Sequence, residues 1–321
     1  MQRRRRINSI TASPESGGIT VSPQAEDMDV AINTFLRYCN VRNLTSDTLR
    51  YYTECLAILK RMLAEQGITR PIDVTKDTIY SAIERRKEEV SEETVNTNLR
   101  AWRVFFNFLA EENYLMSNPF SGIKLIKTEK RVIETFSKEQ IRRLLEIHDR
   151  QTFTGYRNYV FMSFLLETGA RVSEAVGIRT TDIQWRERLV KLDGKGRKER
   201  LVPFQSRMER HLREYLKIRG LLDHDFVFVN IDNEPWKLRS AQEMITLTGM
   251  EAGIKGVRCS AHTFRHTFAR LYIVNGGDPF SLQKILGHTT LDMVKTYVNL
   301  WSADIAGAHA KYSPLERLDE D

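Results

Sequence analysis

Asn118-Pro119-Phe120 cuts the chain in two. Proline lacks a backbone N–H and clashes with the preceding turn, so no helix runs through it. The helical pattern before this point is long, and the stretch after it, "SGIKLIKTEKRVIETF" (121–136), is basic and weakly periodic. That stretch reads as a linker between two domains, and a length of 321 residues fits two.

Ahead of the break, four runs have apolar residues at helical spacing. They are "DVAINTFLRYCNVR", "SDTLRYYTECLAILKRMLAEQG", "KDTIYSAIERRKEEV" and "EETVNTNLRAWRVFFNFLAEENYL". Ser46 is placed as the cap of the second and Gly67 as its stop. Thr75 opens the third, and Ser91 opens the fourth, which should run on to the Asn-Pro-Phe stop. Four helices in 27–120 make a small bundle. Phe105, Phe106 and Phe108 read as its core, while Arg100 and Arg103 on the same helix are candidate DNA-contact residues or plain surface charges. Residues 1–26 carry a run of four arginines, Arg3 to Arg6, then Ser, Pro and Gly. This reads as a basic tail rather than a signal peptide, because no apolar core follows the charge.

Beyond the linker the pattern mixes. Ser137 starts a helix, and Gln140 completes a capping box. "YRNYVFMSFLLETGA" is helical. "RLVKLDGKGRKERLVPF" (188–204) reads as a hairpin around Gly194-Lys195-Gly196. A helix over about 206–219, a short strand "DFVFVN" and a mostly helical remainder from Ser240 to Tyr312 follow. The fold class expected is mainly α with a small antiparallel sheet: a helical bundle joined to an α+β domain over 137–321. No internal repeat shows.

Composition narrows the chemistry. Lysine and arginine number 49 against 42 acids, a net +7, which favours a polyanionic partner. Cys39, Cys55 and Cys259 stand far apart, so neither a disulfide framework nor a zinc ribbon is indicated, and a reducing, cytoplasmic setting fits. No apolar run approaches the roughly 18 residues needed to cross a membrane.

The chemistry-bearing residues are scattered. In "HTFRHTF", His262, Arg265 and His266 share a helix face. Two histidines four apart could ligate zinc, but Thr263 stands where the zinc-protease pattern needs Glu, and no third ligand is in view. An arginine framed by histidines suits a phosphate instead: a planar fork of donors beside groups that titrate near neutrality. In "TGARVSEAVGI", Arg171 enters apolar surroundings and needs a partner, which Glu174 or a bound phosphate could be. Lys195 rides the hairpin tip, with Arg197, Lys198 and Arg200 beside it as further candidates for DNA contact. In "LGHTTLDMVKTYV", Gly287 ends a helix, His288 follows at once, and Tyr297 lies nine residues on.

In this order Arg171, Lys195, His262, Arg265, His288 and Tyr297 resemble the catalytic set of the tyrosine recombinases, the phage integrase family, with Xer-like members most similar. The likeness covers 137–312, and the bundle is similar to that family's SAM-like core-site DNA-binding domain. One departure is Ala261, where the family often has proline. The resemblance implies a site-specific recombinase that cuts and rejoins double-stranded DNA through a 3′-phosphotyrosyl link, without ATP, metal or other cofactor. It implies that Arg171 and Arg265 clamp the phosphate and that Tyr297 attacks. His262 assists removal of the tyrosine proton, Lys195 protonates the leaving 5′ oxygen, and His288 donates to a phosphate oxygen. Glu174 braces Arg171, and His266 supports the site from behind. It further implies a tetrameric synapse on DNA, with "SADIAGAHAKYSPLERL" (302–318) packing on a neighbouring protomer. Type IB topoisomerase-like relaxation and a catalytically inactive DNA-binding module are the alternatives.

Overall fold

The computed structural model describes residues 27–128, 133–194, 198–287, 294, 295, 297 and 309, with Lys198 described in its backbone only. The basic tail, Lys195, Arg197, His288 and, apart from His309, the segment 302–318 lie outside the described residues. The chain forms two compact units, Met1–Lys130 and Arg131–Asp321.

The first unit holds four helices: α1 (Met28–Val41), α2 (Ser46–Ala64), α3 (Lys76–Glu89) and α4 (Glu92–Glu111). Side chains set their starts. Asp27 accepts the N–H groups of Asp29 and Val30, and Thr75 with Thr78 makes a reciprocal capping box. Two boundaries differ from the sequence reading. The cap of α2 is Thr45, not Ser46: Thr45 is extended and its hydroxyl accepts the Thr48 N–H, while Ser46 is already helical. Helix α4 ends at Glu111, well before the proline, because Asn113 turns into the left-handed region at φ 60°. Asparagine tolerates that conformation better than most residues.

Phe35, Leu56, Leu59, Leu99, Trp102 and Phe105 form the centre of the bundle and are fully buried. The Trp102 Nε1–H donates to the Cys55 carbonyl at 2.8 Å, so the largest buried ring leaves no orphan donor. The interval read as a linker is divided between the two cores. Ile123 is buried in the first, and Asn96 holds Ile126 by two main-chain hydrogen bonds of 2.8 and 2.9 Å. Phe136 is buried in the second unit, where its N–H donates to Thr267.

The second unit contains α5 (Lys138–Glu146), α6 (Phe153–Thr168), α7 (Val172–Gly177), β1 (Ile183–Gln184), β2 (Leu189–Gly194), β3 (Lys198–Pro203), α8 (Ser206–Arg219), α9 (Leu238–Glu251), α10 (Ala261–Val274) and α11 (Pro279–Leu286). The expected Ser137–Gln140 capping box is formed. Helix α6 is apolar on nearly every side because it packs between α8 and α10. The sheet is antiparallel in the order β1-β2-β3, and the expected hairpin gains β1 at its edge.

Register decides which side chains face inward. Val190 pairs with Val202 and Leu192 with Arg200. Val190, Leu192 and Val202 are buried, so the period of two turns Arg200 toward the core as well. "DFVFVN" is not a strand. Val227 to Val229 are buried, but the segment makes only single bridges, Arg179 with Phe226 and Val229 with Pro235, because each neighbouring stretch is too short for a ladder.

Candidate active site

Four backbone features bring the site residues together. Helix α6 ends at Gly169, which takes φ +62°. Arg171, two residues on, is extended and caps α7. Helix α10 starts under the Ser260 cap. Helix α11 ends at Gly287, in the left-handed region at φ +66°.

Arg265 is buried. Its Nη1 donates to the Gly169 carbonyl and its Nη2 to the Leu286 carbonyl, both at 2.7 Å. One arginine thus ties the end of α6 to the end of α11. Burial and then the neighbouring Arg171 pull its pKa down to about 10, which still leaves it charged at neutral pH. At Gly169 a Cβ would stand 2.4 Å from Phe268 Cδ1, so the close approach, as well as φ, requires glycine.

Arg171 is held by Glu174, as the sequence reading expects. Glu174 Oε2 accepts the Arg171 N–H and Oε1 accepts its Nη1, each at 2.8 Å. A third of the Arg171 side chain remains exposed. The same carboxylate takes a second guanidinium, that of Arg200, at 2.9 and 2.8 Å. Arg200 was a candidate for DNA contact, and this is a correction: strand parity points it inward, and its fork closes on Glu174. Burial alone would raise the Glu174 pKa, but the hydrogen bonds from Arg200 and Arg171 hold it below its ordinary value.

His262, Arg265 and His266 do lie along one stretch of α10. His262 and His266 line an open cleft with Val172, Gln242, Thr246 and Arg258. His262 is exposed there. The histidine that touches Tyr297 is His266: its Nδ1 lies 2.8 Å from the tyrosine hydroxyl. The sequence reading had His262 next to the tyrosine proton and His266 behind. Burial, followed by His262 and Arg265, lowers the His266 pKa. Lowering favours the neutral ring, and in the tautomer that carries its hydrogen on Nε2 the Nδ1 can accept the Tyr297 hydroxyl proton. Tyr297 is 1% exposed and packs with Ala269, Leu282, Leu286 and Val294. Burial raises its pKa and Arg265 opposes that rise.

The bundle candidates separate. Arg100 is exposed on α4. Arg103 is not a free cation: its Nη2 donates to the Ile123 carbonyl at 2.7 Å, and the guanidinium lies over the Phe120 ring, fastening the segment after α4. Among the described residues no group of three His, Cys, Asp or Glu side chains could hold a metal, and no helix is long and apolar enough to cross a membrane.

The chain belongs to the phage integrase family: the family model matches residues 134–303, and the phage integrase N-terminal SAM-like domain matches residues 32–113. Within it, the chain is a Xer-like tyrosine recombinase, a site-specific enzyme acting on DNA. The tyrosine recombinase XerC of Oceanobacillus iheyensis is 30% identical over 296 residues, covering 89% of this chain and 97% of that protein. Among solved structures, the fold is similar to XerH site-specific recombinase bound to a palindromic difH substrate, with a TM-score of 0.75, 17% identity, and coverage of 92% and 99%. It is also similar to the Tn1549 transposon integrase in complex with a circular intermediate DNA, with a TM-score of 0.73, 18% identity, and coverage of 91% and 99%.

Proposed function

We propose that the chain breaks a DNA strand by attack of Tyr297 on a phosphate clamped by Arg171 and Arg265, and exchanges strands by the reverse reaction. A bond forms between the Tyr297 oxygen and phosphorus, and the bond from phosphorus to the 5′ oxygen breaks. The tyrosine proton passes to His266. The 5′ oxygen takes a proton from Lys195. Arg171, Arg265, His262 and His288 offset the charge on the non-bridging oxygens. Positive side chains aimed at developing charge supply the electrostatic stabilisation that a metal ion supplies elsewhere. The phosphotyrosyl bond conserves the energy of the diester, so resealing by a 5′ hydroxyl needs no ATP.

One observation carries this reading. Tyr297 and His266 are 31 residues apart, yet their reactive atoms are within hydrogen-bond distance, and His266 lies on the helix that also bears Arg265 and His262. A tyrosine has an ordinary pKa near 10 and needs a proton acceptor to act as a nucleophile. Since Tyr297 is buried in the described state, its attack on a phosphate in the cleft includes a displacement toward that phosphate.

The partners follow from the chemistry. The substrate is double-stranded DNA, met by both units. Recombination between two duplexes takes four protomers, with 302–318 reaching a neighbour. The compartment is the cytoplasm, where the DNA and the reduced thiols of the three cysteines both belong. Tyr297→Phe tests the nucleophile: it should bind DNA as the parent does and form no denaturation-resistant adduct, also when the parent forms its adduct in excess EDTA. An adduct from the Phe variant rules out Tyr297. A two-duplex strand-transfer assay separates recombination from relaxation.

A further inference from the structure

We propose that Arg200 is a positioning residue that clasps the hairpin, the Arg171 carboxylate brace and the end of α11 together, keeping Arg171 net positive toward the phosphate. The proposal rests on the transesterase reading above.

All three guanidinium nitrogens of Arg200 are engaged. Nη1 and Nη2 meet the two oxygens of Glu174, and Nε donates to the Ile285 carbonyl at 2.7 Å. Its side chain is only 11% exposed, and that of Glu174 2%. A planar fork with a third donor at its base is arginine geometry, which a lysine ammonium cannot reproduce. The Ile285 and Leu286 carbonyls lie in the last turn of α11, where a helix leaves its carbonyls without intrahelical partners. Arg200 takes the first and Arg265 the second. Gly287 comes next, and a Cβ there would stand 2.9 Å from Arg200 Cδ. The end of α11 at Gly287 is thus built against Arg200. Arg200 lies on β3, whose first residue, Lys198, follows Lys195 by three positions in the sequence.

The charges give the clasp a second role. Glu174 binds Arg171 through both its backbone and its guanidinium. With Glu174 alone, Arg171 forms a neutral pair and offers little to an anion. Arg200 restores one net positive charge to the trio while remaining out of reach of solvent.

The test uses the full chain and a duplex selected from a randomised library by binding to the parent, with the cleaved phosphate mapped from the covalent adduct. The Arg200→Lys variant keeps the charge and folds more safely than Arg200→Ala, which is run beside it. Arg200→Lys should form adduct ~10- to 100-fold more slowly, the range seen for outer partners of metal ligands. DNA affinity and its salt dependence should not change. A second substrate carries a neutral methylphosphonate at the cleaved position. There Arg200→Ala should lag the parent far less than on the natural phosphate, because no anion awaits the missing charge. A merely structural defect would slow both substrates alike, and that result overturns the proposal. Parental adduct rates, or a shallower salt slope marking a lost phosphate contact, overturn it too. If the parent forms no adduct on the natural duplex, the transesterase reading fails and the clasp falls with it. A normal parent with an unaffected variant removes the clasp alone.

Discussion

Replacing Glu174 by glutamine changes one atom and removes one charge. The carboxylate accepts four donors: Arg171 N–H and Nη1, and Arg200 Nη1 and Nη2, all at 2.8 to 2.9 Å. Glutamine keeps one oxygen and sets an NH₂ against the donors of the other pair. Two of the four bonds are lost, and two arginines lose their shared counter-charge. Charge-assisted hydrogen bonds contribute roughly 1.5–3 kcal/mol each, and breaking a buried ion pair costs about 3–5 kcal/mol, so Glu174→Gln should cost about 3–5 kcal/mol. For a unit of this size each kcal/mol moves the melting point by about 2–4 °C, or ~6–20 °C in all. Urea denaturation of the full chain, followed by fluorescence, measures the loss, with the two units fitted as separate transitions. The loss should depend on pH. The Glu174 pKa is lowered on folding, so its contribution is present above the ordinary carboxyl value of 4.5 and disappears as pH falls through the folded value. Parent and variant should therefore converge in acid. A cost below about 1 kcal/mol, or a gap that persists unchanged into acid, would refute the four-donor account.

Three further outcomes are expected. Gly169→Ala forces a left-handed alanine into Phe268 and Leu286. It should cost about 2–5 kcal/mol by the sum of backbone and overpacking penalties and slow adduct formation by shifting the Arg265 anchor, whereas an unchanged denaturation midpoint contradicts this. Asn96→Ala removes both bonds to Ile126 and should cost about 1–3 kcal/mol, and trypsin should cut faster after Lys124 and Lys127; equal digestion rates argue against the anchor. The His266 pKa is lowered on folding, so its neutral form supports stability fully above pH 6.5 and ever less as pH falls below it. Urea midpoints of His266→Gln should fall less steeply below pH 6.5 than the parent's, and parallel curves count against that assignment.

Local signals were legible in the sequence. The Ser137–Gln140 box, the Thr75 start and the Gly287 stop each depend on residues within one turn, and each is in place. The end of α4 was misread because proline is the louder signal, while Asn113 breaks the helix earlier through its own backbone. Arg200 was readable in principle. Its register with buried Val202 puts both on one face, but its partner Glu174 lies 26 residues upstream, and basic neighbours made it look like a surface charge. The pairing of His266 with Tyr297 had no local trace, since residues three and four apart on α10 are equivalent until α11 and the tyrosine are packed against them. Arg103 likewise depended on where the chain after α4 returns.

Two of the groups that hold Arg265 are main-chain carbonyls, at Gly169 and Leu286. A partner made of peptide backbone is not erased by exchanging a side chain, so drift in the coding sequence can remove it only by bending the chain itself. Leu286 should then accept other apolar residues across a mutational library with Arg265 still anchored. Gly169, whose conformation and clearance are both specific, should tolerate almost none. These two anchors of Arg265 are thereby exposed to inherited damage chiefly at Gly169 and at the arginine itself.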